Sequence, residues 1–167
     1  MVVLGKPVGS GHPVGVVITT EDIAASFANG MEFFSTFGGT TLACEIGAEV
    51  LCIVDDEGLQ QNARLQGQRL RDGLRQLQQR HMLIGDVRGR GLFLGVELVT
   101  DRTTKDPATA LAGYVSNRLR DHRILIGTDG PHDNVLKIRP PLTIGAADCE
   151  LLLARLDDIL LEAGLLN

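Results

Sequence analysis

The polypeptide has 167 residues, which is enough for one ordinary domain or for parts of two, and it carries a net charge of −5. Its apolar content of 44% and charged content of 22% are typical of a folded globular protein. The acidic balance, with aromatics at only 4%, argues against a nucleic-acid surface, which needs a basic face or stacking rings. Apolar runs are broken well short of the roughly 20 residues of a membrane span, so no membrane partner is expected.

The three cysteines, Cys44, Cys52 and Cys149, are odd in number and widely spaced in apolar or helical contexts. This pattern predicts free thiols that pack as small hydrophobic side chains, with no metal site. The N-terminus lacks a basic region followed by a long apolar core, so no secretory signal is predicted. Together these features predict a reduced, cytoplasmic chain.

The first third of the chain predicts short strands, loops and two helices. Val2–Leu4 resembles the end of a buried strand, and a glycine-rich loop follows from Gly5 to Gly15. The β-branched run Val14–Ile18 predicts a second strand. A short helix capped by Thr19 or Thr20 should follow, then an aromatic loop, and then a mostly apolar helix over Leu42–Val54.

The remaining residues predict a unit that mixes helices and strands. A long amphipathic helix is indicated by an apolar stripe at helical spacing, formed by Leu59, Ala63, Leu70, Leu74 and Leu77. The predicted strands are the stretch IGDVRGRGLFLGVELV, with turn residues Gly89 and Gly91, then Ile124–Ile126, then Val135–Arg139. The predicted helices are Ala108–Arg120 and Ala146–Ala163.

The first part has too few strands to build a sheet of its own. Val2–Leu4 and Val14–Ile18 would be buried strands without visible neighbours, so the chain resembles the end of something larger. A boundary is expected near Gly58, where the apolar helix gives way to the long amphipathic one. Residues 1–58 should then expose apolar faces, whereas the unit that follows should fold by itself.

Lys6 is one of only three lysines, against thirteen arginines, and it lies between a strand end and a glycine-rich loop. In apolar surroundings, desolvation would favour a neutral amine able to attack a carbonyl and form a Schiff base, as lysines do in pyridoxal phosphate enzymes. The alternative is a surface lysine in a loop. A phosphate-binding P-loop is a poor interpretation, because no Ser or Thr follows the lysine.

Two further stretches have features of anion sites. In STFGGTT, the hydroxyls of Ser35, Thr36, Thr40 and Thr41 surround a Gly-Gly pair before a helix, which is suited to a phosphate but is also compatible with simple N-capping. In VLKIRPPL, Arg139 leaves a strand before two prolines and therefore has little backbone freedom. An arginine with a constrained backbone is suited to bind a carboxylate through paired hydrogen bonds. The alternative is a surface arginine on an edge strand.

Four stretches in this order, LGKPVGSGHPVGVVITT, FFSTFGGTTLAC, IGDVRGRGLFLGVELV and GPHDNVLKIRPPL, resemble the C-terminal part of the class III pyridoxal-phosphate aminotransferases. Within that family they are most similar to the branch that contains alanine–glyoxylate aminotransferase-like proteins and phosphoethanolamine phospholyases. The resemblance implies an α/β fold, namely the C-terminal part of a fold-type I transferase. Residues 1–58 would be the end of the large cofactor-binding domain, and residues 59–167 the small α+β domain.

The resemblance also implies roles for individual residues. Lys6 matches the catalytic lysine that binds pyridoxal 5′-phosphate covalently and moves a proton. Thr36, with Ser35 beside it, matches the threonine that binds the cofactor phosphate of a partner subunit, which implies a homodimer or higher oligomer. Arg139 matches a position that holds the substrate carboxylate. An arginine could not replace Lys6, because its guanidinium does not lose a proton at neutral pH.

The implied reaction is transfer of an amino group between an amino donor and a 2-oxo acid. Phospholyases of this branch have a lysine at the position of Arg139, which favours transamination over the alternative, phosphate elimination from an amino-alcohol phosphate. The chain is less than half of a full-length member, and the upstream aspartate that pairs with the cofactor ring is missing. We therefore expect little activity from the chain alone, and an inactive fragment that serves as a dimerisation or packing module is the third possibility.

Overall fold

The computed structural model describes residues 1–164, which form two compact units divided between Gly58 and Leu59. The first unit holds two strands and two helices around a short 3-10 helix at Lys6–Gly9. In chain order, its elements are β1 (Val2–Leu4), β2 (Val16–Ile18), α1 (Glu21–Phe27) and α2 (Thr41–Asp56).

The two strands of the first unit pair only with each other, antiparallel, with Val3 opposite Val17. Their side chains are largely exposed, Val3 at 70% and Val17 at 62%, so the prediction of buried strands is wrong for this chain. A two-stranded ladder buries little surface, because no second layer covers either face. The predicted exposure of apolar faces in residues 1–58 is confirmed, and it extends to the aromatic loop, where Phe33, Phe34 and Phe37 are exposed.

The second unit is an antiparallel four-stranded sheet with three helices. Its elements are α3 (Leu59–Arg80), β3 (Ile84–Arg90), β4 (Phe93–Leu98), α4 (Thr109–Asp121), β5 (Gly127–Asp129), β6 (Val135–Ile138) and α5 (Ala146–Gly164). The strand order is β3-β4-β6-β5, so β6 is an interior strand. The predicted α+β unit is therefore confirmed, with a helix layer over one face of the sheet.

The buried residues of the second unit follow the two-residue period of strands and the three- to four-residue period of helices. Along β4, Phe93 is 62% exposed while Leu94, Val96 and Leu98 are buried, which is the alternation expected of a sheet with one covered face. On α3, Leu70, Leu74 and Leu77 are buried at three- and four-residue spacing. Each such side chain contributes about 1.5–3 kcal/mol when it leaves water, so this unit has a core of its own.

One predicted strand is wrong. β6 pairs with β4 on one side and with Gly127–Asp129 on the other, whereas Ile124–Ile126 has no regular structure. The reason is that α4 binds the backbone of this segment: the Ile124 N–H donates to the Leu119 carbonyl at 2.9 Å, and the Ser116 hydroxyl donates to the Ile126 carbonyl at 2.7 Å. These backbone groups are not available for a sheet ladder.

The prediction of free thiols is confirmed for all three cysteines, but only Cys149, which lies on α5, is buried in the core. Burial raises the pKa of the Cys149 thiol. Cys44 and Cys52 are exposed, because α2 has a helix face with no partner layer in the first unit. The described residues contain no group of three or more His, Cys, Asp or Glu side chains able to hold a metal ion.

A half-buried carboxylate, Asp157 on α5, joins α5 to the end of α3 by contacts with the exposed Arg80 and the buried His81. The Nε2 of His81, which is 7% exposed, lies 2.6 Å from Asp157 Oδ1, and Arg80 Nη2 lies 2.5 Å from Asp157 Oδ2. Burial alone would raise the pKa of Asp157, but the hydrogen bonds from His81 and Arg80 outweigh burial and lower the pKa. The ionised carboxylate is therefore part of the folded state.

Acid should weaken this connection. Because the pKa of Asp157 is lower in the folded than in the unfolded chain, its contribution to stability is complete above the unfolded pKa of about 3.9 and is lost as pH falls through the folded pKa. We expect Asp157→Asn to lower the free energy of unfolding at pH 7 by about 1–2 kcal/mol. Below about pH 4, the free energy of unfolding of this variant should decrease less steeply with falling pH than that of the wild type. Denaturant titrations at several pH values measure both effects. The neighbouring Asp158→Asn, which removes only an exposed pair with Arg155, is the control and should leave the profile unchanged; equal profiles for the two variants would contradict the expectation.

Candidate active site

Lys6 begins the 3-10 helix, one residue (Gly5) after the end of β1 at Leu4. Its φ of +43° lies in the left-handed region, which is uncommon for a residue with a side chain and is often associated with functional sites. The side chain is exposed, so the apolar surroundings predicted for its amine are absent from this chain. The amine is open to a ligand from solution.

A groove of about 740 Å³ lies beside this segment in the first unit. Its walls come from β1, β2, the loop 35–39 and one face of α2. They include Leu4 and Val8, which lie two residues before and after Lys6 in the chain, whereas Lys6 is not among the lining residues. This volume is within the range of small-molecule sites, about 300–1,000 Å³. Most of the lining is apolar, and Ser35 contributes a hydroxyl.

The hydroxyl of Ser35 is held in place by its own loop. The Gly38 N–H donates to Ser35 Oγ at 3.0 Å, and a Cβ at Gly38 would lie 2.8 Å from the same oxygen. A glycine at position 38 is therefore required for this loop to close, while the next residue, Thr36, is exposed to solvent. Of the two predicted phosphate ligands, Ser35 lines the groove and Thr36 does not.

The α2 N-terminus lies just after this loop. Thr40 is the N-cap residue, with extended backbone angles (φ −63°, ψ 141°), but its hydroxyl makes no capping hydrogen bond. Simple N-capping by a threonine side chain, the alternative interpretation of STFGGTT, is therefore not observed. The first N–H groups of a helix attract anions when no side chain satisfies them.

The second unit carries a group of cations at the end of β6. Arg139 follows the last strand residue, Ile138, and its guanidinium carbon lies 5.7 Å from the centre of the Phe93 ring. This is a cation–π contact on the open face of the sheet. Arg139 is exposed, as the alternative of a surface arginine predicted, but β6 is an interior strand, so the edge-strand part of that alternative is wrong.

Lys137 is the cation that sequence reasoning missed. It lies two residues before Arg139, so both side chains leave the same face of the strand, and both line a groove of about 510 Å³ together with Arg123. Strand alternation around the buried Leu136 and Ile138 was the pattern that could have identified it. Asp148 is the one carboxylate among the residues that line this groove.

Asp129 lies beside these cations. Lys137 Nζ donates to Asp129 Oδ2 at 2.8 Å, and this hydrogen bond is the main reason that the pKa of Asp129 is lowered. The Gly130 N–H adds a second hydrogen bond, and the charge of Arg139 contributes less. The guanidinium of Arg139 makes no ion pair within residues 1–164, which leaves its fork of donors free for an anion.

Comparison with known proteins shows the family of the chain. The sequence model of the family described as aminotransferase class-III matches residues 1–160. The chain is 46% identical over 144 residues to alanine–glyoxylate aminotransferase 2-like of Drosophila melanogaster. The matched region covers 85% of this chain and 29% of that protein. It is 40% identical over 161 residues to ethanolamine-phosphate phospho-lyase homolog 1 of Caenorhabditis elegans, covering 96% of this chain and 34% of that protein.

Among solved structures, a phospholyase from Arthrobacter in complex with phosphoethanolamine superimposes with a TM-score of 0.90 and 39% identity. The match covers 95% of this chain and 37% of that one. The chain belongs to the class III aminotransferase family, an enzyme family, and the predicted fold class is confirmed. It spans about a third of the length of the curated relatives that it matches. Every helix within residues 1–164 is too short or too polar to cross a lipid bilayer.

Proposed function

We propose that this chain is the C-terminal portion of a pyridoxal-phosphate-dependent aminotransferase that moves an amino group between an amino donor and a 2-oxo acid. Residues 1–58 are then the end of the large cofactor-binding domain, and the unit from Leu59 onward is the small domain. The observation that carries the proposal is Lys6, an exposed lysine in a left-handed conformation at a strand end, beside a ligand-sized groove.

The residues present fit a bound pyridoxal phosphate. Lys6 offers an accessible amine for the cofactor aldehyde, and the Ser35 hydroxyl lies in the adjacent groove. Thr36 is exposed, which is compatible with its binding the cofactor phosphate of a second subunit in a homodimer or higher oligomer. When bound, the cofactor supplies an electrophilic aldehyde and a ring that withdraws electrons from the substrate.

The chain's own residues would supply two functions to this reaction. The Lys6 amine, once free, accepts and returns a proton at its nitrogen, which general acid–base catalysis requires and which no guanidinium can do at neutral pH. Arg139 binds and orients the substrate carboxylate through paired N–H donors. Lys137 and Arg123 raise the positive potential of the same groove, which favours anionic substrates.

A phospholyase acting on an amino-alcohol phosphate is the second candidate. The similarity to a phospholyase structure and the three cations of the 510 Å³ groove favour it, since a phosphate carries more charge than a carboxylate. Released inorganic phosphate and transferred amine distinguish the two reactions when both are measured on the same preparation. A preparation that does neither would support an inactive packing module, consistent with the exposed apolar residues of the first unit.

The covalent site can be tested directly. The native polypeptide that carries this sequence is mixed with pyridoxal phosphate, reduced with borohydride and mapped by peptide mass spectrometry. We expect the label on Lys6 and its loss in Lys6→Ala, while the control Lys105→Ala, in the polar loop after β4, stays labelled. An unlabelled Lys6 peptide would overturn the proposal, whatever activity is measured. The 167-residue chain by itself should show little or no turnover.

A further inference from the structure

The segment that runs from the residue after Arg139 to the start of α5, residues 140–145, closes one side of the groove that Arg139 lines. We call it the strap. It has no regular secondary structure apart from one turn, in which the Ile144 N–H donates to the Pro141 carbonyl at 3.1 Å. Pro140 and Ile144 both line the groove. The shape of the groove therefore depends on how the strap is held.

Asn62, on α3, binds the strap from 80 residues away. Its Nδ2 donates to the Leu142 carbonyl at 2.7 Å and to the Ile144 carbonyl at 3.0 Å, so both amide hydrogens are used. These contacts bracket the middle of the strap. Two hydrogen bonds to backbone carbonyls fix a segment that has no ladder or helix of its own.

A second side chain fixes the orientation of the Asn62 amide. Asn62 Oδ1 accepts a hydrogen bond from Gln66 Nε2 at 3.3 Å, and Gln66 is only 7% exposed. Gln66 Oε1 in turn accepts from the thiol of Cys149, at 3.9 Å. With its oxygen facing Gln66, the Asn62 amide must direct its N–H groups at the strap.

We propose that Asn62 is a positioning residue for the anion-binding groove, because its amide holds the strap that continues directly from Arg139. This role rests on the proposed function, in which Arg139 binds the substrate carboxylate. Pro140 and Pro141 restrict the backbone between the anchored carbonyls and Arg139. A displacement of the strap therefore also displaces the backbone of Arg139, from which the guanidinium extends. The effect reaches Arg139 through the backbone, without contact between Asn62 and the substrate.

The test uses the full 167-residue chain and pyruvate as the probe. Binding of pyruvate is measured from the changes that it causes in the backbone amide NMR shifts of residues 135–139. Asn62→Asp keeps the shape but replaces two donors with a carboxylate that repels the carbonyls, and it should raise the Kd for pyruvate about fivefold. Asn62→Ala serves if the aspartate variant fails to fold. Gln68→Ala, on the exposed face of the same helix where it bonds only Asp72 and Arg71, is the matched control and should bind like the wild type.

Hydrogen exchange at the Ile144 amide provides a readout of the strap itself, and we expect faster exchange in Asn62→Asp than in Gln68→Ala.

The variant Arg139→Gln distinguishes the proposed carboxylate site at Arg139 from the proposed positioning role of Asn62. If Arg139→Gln binds pyruvate like the wild type, or the wild type shows no saturable shift, the carboxylate site is wrong and the positioning role falls with it. If Arg139→Gln loses binding but Asn62→Asp keeps the wild-type affinity, only the positioning role is overturned. A loss of stability without a loss of affinity in the folded variant leads to the same rejection.

Discussion

Replacing Gly67 with alanine should destabilise the second unit by about 3 kcal/mol or more. Gly67 lies in α3 where the helix crosses the β3–β4 turn, and an added Cβ would lie 2.2 Å from the Gly91 carbonyl oxygen and 2.3 Å from its carbon. The contact is with backbone, so no side-chain rotation can relieve it. Gly91 has a φ of +54° at the first position of a two-residue turn, which fixes that backbone. Chemical denaturation measures the loss.

Helix propensity alone predicts the opposite sign, because alanine is favoured over glycine in a helix interior by about 1 kcal/mol. Gly113 provides the matched control, since it is also helical, in α4, and a Cβ there meets nothing within 4 Å. Gly113→Ala should leave stability unchanged or raise it by up to about 1 kcal/mol. Equal effects of the two substitutions would show that close approach of the helix to the turn is not what requires Gly67.

Arg102→Met should cost about 2–4 kcal/mol of unfolding free energy. The guanidinium of Arg102 donates to the carbonyls of Gln78 and His81 at the C-terminal end of α3, the latter at 2.8 Å. Its Nε donates to the Ile84 carbonyl, at the start of β3, at 3.0 Å. Methionine keeps most of the apolar stem but leaves three partly buried acceptors without this donor, and it removes a positive charge from the negative end of the helix dipole.

Arg75→Met is the control for this prediction, because Arg75 is exposed on α3. Arginine and methionine both have high helix propensity, so the exchange should not disturb the helix. Its effect should stay within about 0.5 kcal/mol. Thermal unfolding of the two variants, followed by far-UV circular dichroism, compares them under one condition. A similar midpoint for both would mean that Arg102 does not contribute to the closure of the α3–β3 connection.

Several elements of the fold were predictable because each is encoded by a pattern within one short segment. The apolar stripe of α3 predicted its buried residues Leu70, Leu74 and Leu77, and the stretch IGDVRGRGLFLGVELV with its turn glycines predicted the β3 and β4 region. Position-specific residues were also informative. Lys6 does follow a strand end, and β6 does end before the two prolines, at Ile138, one residue earlier than predicted. The roles proposed for Lys6, Ser35, Thr36 and Arg139 stay predictions.

Other features depended on contacts that no local pattern encodes. The run of Gln and Arg residues opposite the apolar stripe of α3 predicts a solvated face. That prediction is correct for Arg64 and Gln68, but Gln66 is buried against Cys149. Likewise the polar stretch DRTTKDPAT, which contains Arg102, predicts only a loop, yet the Arg102 side chain binds carbonyls at the end of α3. In both cases the sequence specifies a polar side chain, and only the packing of distant elements determines whether that side chain meets water or a carbonyl.

By itself, the sequence determined the order of helices and strands, the apolar face of each and the position of Lys6 after a strand, because these follow from periodicity and residue type over a few neighbours. Tertiary structure alone decided which strands pair, the register that makes Gly127–Asp129 the partner of β6, and the bond from Asn62 to the strap. The physical reason is that hydrogen bonds between residues 80 positions apart form only after the helix layer has packed on the sheet. That packing is selected by the combined burial of many side chains, which no single segment of the chain contains.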